Sequence, residues 1–540
     1  MALYDKFYCV LSRHFRQCLT MHGDLAQLRR SPRDAALWSK AQKQLLGGQR
    51  KLALGSYKKL TRRFPAVAEL WYELGNVAMS ELDFGLANQA YRRAIELAPN
   101  NAALLGMLGR QYQGLRQLDE ARACYERAVA VAPDSVDARI NLAVWFEKER
   151  RLDDAWECVE ACLAKHPRDD QGRYFRALLL HRKKRNTEAE TALRDLIKDG
   201  PQYPYVKYAS RHLLGVVLDE LGHYAEAMRW LIESKTLVRQ LTDMVLLERG
   251  FDLGDRKRRD LLASLTPEII WKWRQEMPPS ELRYQIAFLG GHPRSGTTLL
   301  EQILDAHPDV LAFDEPVSFD HEVMRNVPLP STSGDVQLRA LTAVQPARCQ
   351  ELRQRYVKSL LREVSGVPEA RVLLDKNPSP TMVLPTWLRV FPDLKVIIAL
   401  RDPRDVVISC FFLNIMLNET NANFLSLERT VKHYADLMDV WLRMKELGGF
   451  DWIESRYEDV IENLEAEGRK VTEFLGLSWH PDQSRYQETA RQKFLFAPTY
   501  HDVTQPVYRR ALGRWEHYAE ALEPVLGRLA PYCRQFGYLT

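Results

Sequence analysis

Residues 284–316 read YQIAFLGGHPRSGTTLLEQILDAHPDVLAFDEP, and this stretch decides the fold of the C-terminal half. The apolar run 286–289 has the length and character of a strand that is buried on both faces. Two glycines and a proline follow, and apolar pairs then recur at helical spacing over 299–304. A strand, a glycine-rich turn and a helix form the layout of a phosphate-binding loop, because N–H groups and the dipole at the helix N-terminus attract anions.

The loop differs from that of a nucleotide triphosphatase, which reads G-x-x-x-x-G-K-[ST]. Gly291 and Gly296 have the expected gap, but Thr297 stands where the lysine that reaches the β- and γ-phosphates belongs. Backbone N–H groups, hydroxyls and Arg294 can still hold a phosphate. The sequence therefore favours a phosphate ligand other than a magnesium triphosphate, with an ordinary βα turn as the structural alternative.

Length and composition indicate a multidomain protein with an ordinary balance of apolar and charged residues. A chain of 540 residues predicts two to four domains. The net charge of +5 is small for this size, and no run of 18 apolar residues occurs, so we expect no nucleic-acid partner and no membrane span. The N-terminus lacks the apolar core of a signal peptide, and the eight cysteines are scattered. Reduced thiols and a cytoplasmic location are therefore expected.

The first half of the chain repeats with a period of 34 residues. The recurring positions are the prolines Pro65, Pro99, Pro133, Pro167 and Pro201, the small residues Ala41, Gly75, Gly109, Ala143 and Ala177, the alanines Ala53, Ala87, Ala121, Ala155 and Ala189, and the larger residues Tyr57, Tyr91, Tyr125, Val159 and Leu193. This period, with small residues where two helices touch and a proline after the second helix, is typical of tetratricopeptide (TPR) repeats. The segment WYELGNVAMSELDFGLANQAYRRAIELAPN resembles the TPR consensus.

The repeats predict an all-α solenoid of about six units over 33–241, preceded by a helical segment over 1–32. The last unit, 207–241, is imperfect. The concave face of such a solenoid normally binds a protein or peptide, although solenoids also act as plain scaffolds. Residues 242–283 predict a helical linker, in which the basic run 256–259 is either a site for an anionic partner or a solvated helix face.

From Tyr284 onward, strands and helices alternate, which predicts a parallel α/β sheet over 284–540. A short strand at 372–374 is followed by Lys376, and the strand LKVIIAL at 394–400 is followed by Arg401. In open parallel sheets, ligands bind beyond the carboxyl ends of the strands. Lys376 and Arg401 are therefore expected near the phosphate-binding loop.

The helix after Arg401 is expected to begin with Asp402 as its N-cap and Pro403 as its first residue. Ser409 lies about two turns along this helix, so it can approach a group that Arg401 also holds. A cofactor with two separated phosphates would use the loop for one and Arg401 with Ser409 for the other. Glu315 follows the loop helix and its next strand, and it is a candidate general base.

Four segments in order, PRSGTTLLEQILDAHPDV…DEP, DKNP, ALRDPRDVVIS and RYEDVIENLEAEGRKVTEFLGL, together resemble the sulfotransferase family. The similarity is greatest to tyrosylprotein sulfotransferases and to bacterial proteins that join TPR repeats to such a domain. It covers about 284–540. The resemblance implies a P-loop-like α/β sulfotransferase domain that takes a sulfuryl group from 3′-phosphoadenosine-5′-phosphosulfate (PAPS) without a metal and releases 3′-phosphoadenosine-5′-phosphate (PAP).

The resemblance also implies roles for individual residues. Glu315 falls at the position of the catalytic base, and Lys376 at that of a lysine that assists the leaving group together with Arg294. The implied cofactor contacts are Arg294, Ser295, Gly296, Thr297 and Thr298 for the 5′-phosphosulfate, Arg401 and Ser409 for the 3′-phosphate, and Tyr457, Thr499 and Arg514 as further contacts.

Several alternatives stay open at the level of single residues. Asp314 is a rival base, Lys376 can serve as an ion-pair partner, and Ser409 and Tyr457 can be packing residues. This sequence has Leu413 where the tyrosylprotein enzymes have an arginine, so one 3′-phosphate contact is missing or is replaced by Arg404 or Arg509.

Two other functions compete with sulfuryl transfer. A P-loop kinase or NTPase would need a second carboxylate at a strand end, which only Asp375 supplies. A non-catalytic TPR adaptor with a degenerate transferase domain is the other. The acceptor is open between a tyrosine of a protein or peptide presented by the repeats and a small molecule, glycan or lipid.

Overall fold

The computed structural model describes residues 31–538 except 82, 279–280, 328–332, 363, 365–367, 415–416 and 493–510. The chain forms two compact units, which divide between Ser234 and Lys235, and the segment that ends at Asn418 is grouped with the first unit. None of the helices in the described ranges combines the length and the apolar character that crossing a bilayer requires.

The first unit is a series of antiparallel helix pairs over the described residues from Ser31. The helices are α1 (Pro32–Leu46), α2 (Arg50–Arg63), α3 (Ala68–Ser80), α4 (Phe84–Leu97), α5 (Ala102–Gly114), α6 (Leu118–Val131), α7 (Val136–Lys148), α8 (Leu152–Lys165), α9 (Asp170–Arg182), α10 (Asn186–Lys198), α11 (Pro204–Glu220) and α12 (Tyr224–Arg239). Consecutive pairs repeat every 34 residues as far as α10, and the last pair is longer. The predicted all-α repeat array is confirmed.

The 34-residue period arises from the size of the side chains where two helices of a pair meet. A Cβ atom on Gly75 would lie 2.2 Å from Tyr91 Cε1, and one on Gly109 would lie 2.5 Å from Tyr125 Cε1. The rings of Tyr91 and Tyr125 are buried against these glycines. The small residues lie where two helices touch, as predicted, and the structure shows that the larger residues of the repeat pack against them.

The second unit contains α12 from Lys235 onward and a five-stranded sheet in the described part of the chain. Its strands are β1 (Gln285–Gly291), β2 (Val310–Asp314), β3 (Val372–Lys376), β4 (Lys395–Leu400) and β5 (Asp451–Arg456). Its further helices are α13 (Met244–Ser264), α14 (Pro267–Glu276), α15 (Thr297–Asp305), α16 (Gly334–Thr342), α17 (Pro346–Leu361), α18 (Leu384–Val390), α19 (Pro403–Phe411), α20 (Leu427–Leu447), α21 (Tyr457–Glu462), α22 (Leu464–Phe474), α23 (Tyr486–Gln492) and α24 (Ala519–Gln535).

Short 3₁₀ and π segments complete the second unit. They are Asp320–Met324, Ser379–Val383, Asn421–Leu425, Pro481–Arg485 and Arg514–Tyr518. The segment 242–283, predicted as a linker, contains α13 and α14. Both helices belong to the second unit, and Asp252 on α13 forms an ion pair with Arg429 on α20 at 3.0 Å.

The sheet is parallel throughout, with the strand order β2-β3-β1-β4-β5. From β1 the chain goes first to the edge strand β2, returns to β3 between β2 and β1, and then crosses to β4 and β5 on the other side of β1, so the direction of the connections reverses beside β1. Ligands of open parallel sheets bind at the carboxyl edge beside such a reversal. The registers align Leu289 and Asp314 with Lys376, and Gly291 with Ala399, at this edge.

One face of the sheet packs on α15 and α22 through a buried aliphatic cluster that includes Leu289, Leu300, Leu374, Ile397 and Val471. The run 286–289 is buried on both faces, which explains why it lacks polar residues. The predicted parallel α/β domain is confirmed, and the core fixes the ends of β1, β3 and β4 relative to one another.

Candidate active site

β1 ends with two glycines, Gly290 and Gly291, that approach neighbouring backbone and side chains closely. Gly291 has a φ of +118°, and a Cβ atom there would lie 2.3 Å from the carbonyl oxygen of Ala399 on β4. The Gly291 N–H donates to Thr381 Oγ1 at 2.9 Å. Only glycine fits this crossing, so β1 and β4 end close together at the start of the loop.

Arg294 connects the loop to the strand and helix that carry Arg401 and Ser409. The Arg294 Nε donates to Ser409 Oγ at 2.9 Å. The Arg401 guanidinium donates to the carbonyl oxygen of Arg294 at 3.2 Å. Three residues that the sequence assigned to two separate phosphate groups are thus joined by direct hydrogen bonds.

Gly296 ends the loop in the left-handed region, with a φ of +90°, and α15 starts immediately after it. A Cβ atom at Gly296 would lie 2.5 Å from Tyr457 Cδ2. The Arg401 guanidinium carbon lies 5.0 Å from the centre of the Tyr457 ring. Tyr457 also packs on the buried cluster of Leu299 and its neighbours. The two interpretations left open for Tyr457, packing and site contact, are therefore compatible.

The N-terminus of α15 presents polar groups of the loop. Ser295 and Thr297 are buried, and Thr298 is half-buried. The first N–H groups of a helix have no partners within the helix, so they and the adjacent hydroxyls can bind an anion. Ser295, Gly296, Thr297 and Thr298 lie together around this N-terminus.

Arg401 and Asp405 form a buried ion pair next to the loop. Arg401 is 7% exposed, and its buried Nε has no hydrogen-bond acceptor among the described residues. Asp405 lies 3.8 Å from the Arg401 guanidinium and accepts the N–H groups of Gly513 and Trp515 at 2.9 and 2.8 Å. Burial raises the pKa of the Asp405 carboxyl to about 6, while Arg401 and both N–H groups oppose that rise.

The remaining cationic candidates have partners of their own. Arg514 lies over the Phe412 ring, with its guanidinium carbon 3.9 Å from the ring centre. Arg404 forms a two-point contact with Asp402 at 3.0 and 2.7 Å and stacks on Trp515. Since Asp402 already pairs with it, Arg404 is a poor replacement for a phosphate contact at Leu413. Thr499 and Arg509 lie outside the described residues.

Lys376 at the end of β3 is completely buried and surrounded by carboxylates. Its Nζ donates to Asp314 and, at 3.4 Å, to Glu315, and it lies 3.7 Å from Glu301. Burial by itself lowers the pKa of the Lys376 ammonium, but these three carboxylates together raise it above its ordinary value. Lys376 is therefore a permanent cation with one N–H left beyond these two hydrogen bonds.

Asp314 and Glu315 stand next to each other at the end of β2 but differ in environment. The Asp314 side chain is 11% exposed and takes the tighter contact with Lys376, whereas the Glu315 side chain is 52% exposed. A base must reach the proton that it accepts. Among the two carboxylates, Glu315 is the one that an acceptor can reach.

Backbone strain marks two of the proposed site residues. Within the described part of the second unit, the non-glycine residues with positive φ are Arg294, at 75°, and Glu315, at 49°. The other such residues, Arg116, Arg150 and Lys184, lie 34 residues apart at turns of the repeats. Strained backbone of this kind costs about 1–3 kcal/mol and concentrates at functional sites.

Asp375, the carboxylate that a kinase-type mechanism would use, is not available to bind a metal ion. It is 1% exposed and accepts the hydroxyl of Tyr356 at 2.7 Å. A carboxylate that is buried in this way is not presented to a metal-bound nucleotide. This arrangement weighs against the P-loop kinase alternative.

His292 supports the backbone of the loop through a buried pair of imidazoles. It is completely buried, with Nδ1 2.8 Å from the carbonyl oxygen of Pro293 and Nε2 2.8 Å from His433 Nδ1. Burial lowers the pKa of His292 to about 4, and it lowers the pKa of His433 well below the ordinary value. Because a carbonyl only accepts, His292 Nδ1 carries the hydrogen and the neutral pair fixes the loop backbone.

Sequence reasoning missed Glu301, Thr381 and Asp405. Glu301 is 3% exposed on the inner face of α15, between apolar neighbours. The sequence offered one signal for Glu301, since a charged residue among the apolar positions of an amphipathic helix predicts a buried charge with a partner. Thr381 carried no such signal, since its contact with Gly291 spans 90 residues.

The glycine-rich loop after β1 and the cluster around Lys376 lie at the same carboxyl edge of the sheet, within a segment that matches a known family. The profile of the sulfotransferase family matches residues 287–481, and tetratricopeptide-repeat profiles match residues 68–101, 90–123, 107–157 and 146–204. The chain joins tetratricopeptide repeats to a sulfotransferase domain. The site described above lies in that sulfotransferase domain, at the carboxyl edge of its sheet.

Similar proteins include named sulfotransferases at low identity. An uncharacterized protein of Aquifex aeolicus (strain VF5) is 25% identical over 63% of this chain and 44% of its own length. Protein-tyrosine sulfotransferase 2 of Gallus gallus is 24% identical over 54% of this chain and 78% of its own length. The chain thus spans less than half of the Aquifex relative. The crystal structure of PilW, a type IV pilus biogenesis factor, is 15% identical over 38% of this chain and 94% of that one, at a TM-score of 0.31.

Proposed function

We propose that the sulfotransferase domain transfers a sulfuryl group from PAPS to an acceptor hydroxyl, and that the acceptor is a tyrosine of a protein or peptide bound by the repeats. The observation that carries this proposal is the pairing of strained residues at one sheet edge. Arg294 is hydrogen-bonded to Ser409 and Arg401, and Glu315 is hydrogen-bonded to Lys376. The first group suits an anion, and the second suits a proton transfer.

The residues present fit a cofactor with phosphates at two places. Around the N-terminus of α15, Arg294, Ser295, Gly296, Thr297 and Thr298 would hold the 5′-phosphosulfate. Arg401 and Ser409 would hold the 3′-phosphate, and the buried Arg401 Nε has no acceptor among the described residues. A phosphate oxygen is an acceptor that a guanidinium binds well. Tyr457, Thr499 and Arg514 are proposed as further contacts.

PAPS supplies a sulfuryl group that is already activated by its bond to a phosphate, so no metal is required for the transfer. The acceptor oxygen forms the new bond to sulfur, the bond between sulfur and the phosphate oxygen breaks, and the electron pair of that bond leaves with PAP. Glu315 takes the proton of the acceptor hydroxyl. Its half-exposed side chain suits a base that must meet an incoming acceptor.

Lys376 and Arg294 stabilise the charge that develops on the leaving oxygen. Lys376 is held as a cation by Asp314, Glu301 and Glu315, and this fixed charge needs no reorganisation during the reaction. Asp314 acts as the counter-ion of Lys376 in this assignment, and Glu315 acts as the base. The two neighbouring carboxylates thus have different roles because Asp314 is buried against Lys376 and Glu315 is half-exposed.

The proposed acceptor follows from the name of a relative and from the repeats. The relative from Gallus gallus is named for protein tyrosine, and repeat arrays commonly bind proteins or peptides. A tyrosine in a bound protein is therefore the proposed acceptor. The expected cytoplasmic location stays a prediction.

Calorimetric titration with PAP tests the cofactor assignment, with magnesium ATP as the competing ligand. We expect wild-type protein to bind PAP much more tightly than magnesium ATP, and Arg401→Ala to lose at least about 100-fold in PAP affinity, since a buried charged contact is removed. Preference for magnesium ATP would overturn the assignment in favour of a kinase or NTPase.

Transfer of label from ³⁵S-PAPS tests the acceptor. A tyrosine peptide and the same peptide with phenylalanine at that position form a matched pair. Label on the tyrosine peptide alone supports the proposed acceptor. Tight PAP binding without transfer to protein, phenol, glycan or lipid acceptors would favour the non-catalytic adaptor.

A further inference from the structure

Lys235, the first residue of the second unit, is a buried cation that the proposed chemistry does not yet use. It lies near the C-terminal end of α12, and it is 4% exposed. Its Nζ donates to the carbonyl oxygen of Leu413 at 2.5 Å and lies 5.6 Å from the centre of the Phe411 ring. Lys235 also lies outside the matched sulfotransferase segment.

No carboxylate among the described residues lies within ion-pair distance of Lys235. Burying a charge without a counter-ion is costly, and proteins normally avoid it by pairing the charge or neutralising it. Burial lowers the pKa of Lys235 to about 7, with only the Cys410 thiol acting in the other direction. A ligand anion would supply the missing partner.

The surroundings of Lys235 belong to the anion site. Leu413 follows Ser409 by four residues, and Cys410 lies between them at the end of α19. Arg294, Arg401 and Lys235 all lower the pKa of the Cys410 thiol electrostatically, against the larger effect of burial, which raises that pKa to about 12. Lys235 therefore contacts the C-terminal end of the helix that carries Ser409, through Phe411 and the carbonyl oxygen of Leu413.

The burial of Lys235 is comparable to that of the proposed cofactor contacts. Ser295, Thr297, Ser409 and Arg401 are between 3% and 7% exposed, and Lys235 is 4% exposed. The low exposure of Lys235 is therefore no argument against its contact with the ligand, because the proposed contact residues are equally buried.

We infer that Lys235 binds the 3′-phosphate of the nucleotide together with Ser409 and Arg401. This inference rests on the proposed function, since it assigns a cation to a ligand of that site. Lys235 comes from α12, whereas Arg401 directly follows β4 and Ser409 lies on α19. The phosphate would then be held from two sides. On one side are the Arg401 guanidinium and the Ser409 hydroxyl, and on the other is the Lys235 ammonium, which becomes fully charged when the anion is bound.

The test compares PAP with adenosine 5′-monophosphate, which lacks only the 3′-phosphate. Calorimetry on wild type, Lys235→Met, Lys235→Arg and Arg401→Ala gives both affinities for each protein. We expect Lys235→Met to lose about 10- to 100-fold in PAP affinity and to keep its affinity for the monophosphate. Lys235→Arg should recover most of the loss, because it restores the charge.

The outcomes separate this inference from the proposed function. Unchanged PAP affinity in Lys235→Met, while Arg401→Ala still loses binding, overturns the role of Lys235 and leaves the sulfotransferase assignment standing. Absence of PAP binding in wild type overturns both. If Lys235→Met loses both ligands, Lys235→Gln, which keeps a donor for the Leu413 carbonyl, decides: selective loss of PAP supports the inference, and equal loss of both ligands overturns it.

Discussion

Two buried lysines of the same unit, Lys376 and Lys235, have opposite electrostatic environments. Lys376 is 0% exposed and has three carboxylates within 4 Å, whereas Lys235 is 4% exposed and donates to a backbone carbonyl. The pKa of Lys376 is raised by its carboxylates, and that of Lys235 is lowered to about 7 by burial. Burial alone therefore does not determine the charge of a lysine; its partners do.

The difference indicates what each region is built to receive. Around Lys376, carboxylates outnumber the cation, and Glu315 extends toward solvent, as a site for accepting a proton requires. The Arg401 guanidinium, which donates to the carbonyl oxygen of Arg294, lies 3.8 Å from Asp405, and Asp405 also accepts the N–H groups of Gly513 and Trp515. Such a region suits an anionic ligand. The predictions below test this division.

Lys376→Ala should have the largest effect because it removes charge from both the fold and the reaction. Glu301 and Asp314 would remain as buried carboxylates without their cation, which costs about 3–5 kcal/mol of stability. Loss of the stabilising charge should lower kcat by about 10²–10³-fold. Thermal unfolding and the rate of transfer from PAPS measure the two effects separately.

The double variant Lys376→Ala with Asp314→Asn is the matched control for that prediction. Removing one buried carboxylate with the cation should restore much of the stability but none of the activity. If stability is not improved by the second substitution, the carboxylates do not depend on Lys376 for their charge balance, and the comparison between the two lysines fails.

Glu315→Gln should lower kcat by about 10²-fold or more with little change in stability, because the side chain is half-exposed and loses only its ability to accept a proton. PAP affinity should be unchanged. Asp314→Asn provides the neighbouring comparison and should act mainly on stability, through its ion pair with Lys376. A larger loss of kcat in Asp314→Asn than in Glu315→Gln would exchange the roles of the two carboxylates.

The pH dependence of stability should distinguish the two lysines by a smaller amount. The folded pKa of Lys235, about 7, lies below the unfolded value, so the unfolded chain binds more protons and stability rises with pH between about 7 and 10. Lys235→Met removes this slope. The stability of wild type relative to Lys235→Met should therefore increase by about 2 kcal/mol from pH 7 to pH 9.

Lys376 should contribute no slope in the same range. Its folded pKa is raised, so the stability that its charge provides is fully present below the unfolded pKa of about 10.4 and is lost only as the pH rises through the folded value. Denaturant unfolding of wild type and Lys376→Met at pH 7, 8 and 9 measures this directly. Parallel curves agree with the prediction, and a slope equal to that of Lys235 would contradict it.

Much of the fold could be predicted because it depends on local patterns. The contacts of Gly75 with Tyr91 and of Gly109 with Tyr125 join helices that are adjacent in sequence, so a fixed period reveals them. The strand ends at Lys376 and Arg401 follow from apolar runs of strand length. Asp402 caps α19 as expected, with its side chain accepting the Arg404 N–H. Such features need only neighbours along the chain.

The candidate site could be predicted as a set of residues but not as an arrangement. Motif resemblance named Glu315, Lys376 and Arg401, yet it did not say that Lys376 pairs with Asp314 more tightly than with Glu315. Nor did it join Arg294 to Ser409, 115 residues away. These contacts depend on the order of the strands in the sheet, which brings residues that are distant in sequence together.

The sequence by itself determined the repeats, the parallel sheet and the residue types that gather at its carboxyl edge. Periodicity and strand ends depend only on residues that are close together in the chain. Only the tertiary structure decided which charges are compensated. Lys235 meets Leu413 across 178 residues, and Lys376 meets its carboxylates across about 60 to 75 residues. The charge of a buried group depends on what surrounds it in space, and that is fixed only when distant segments pack together.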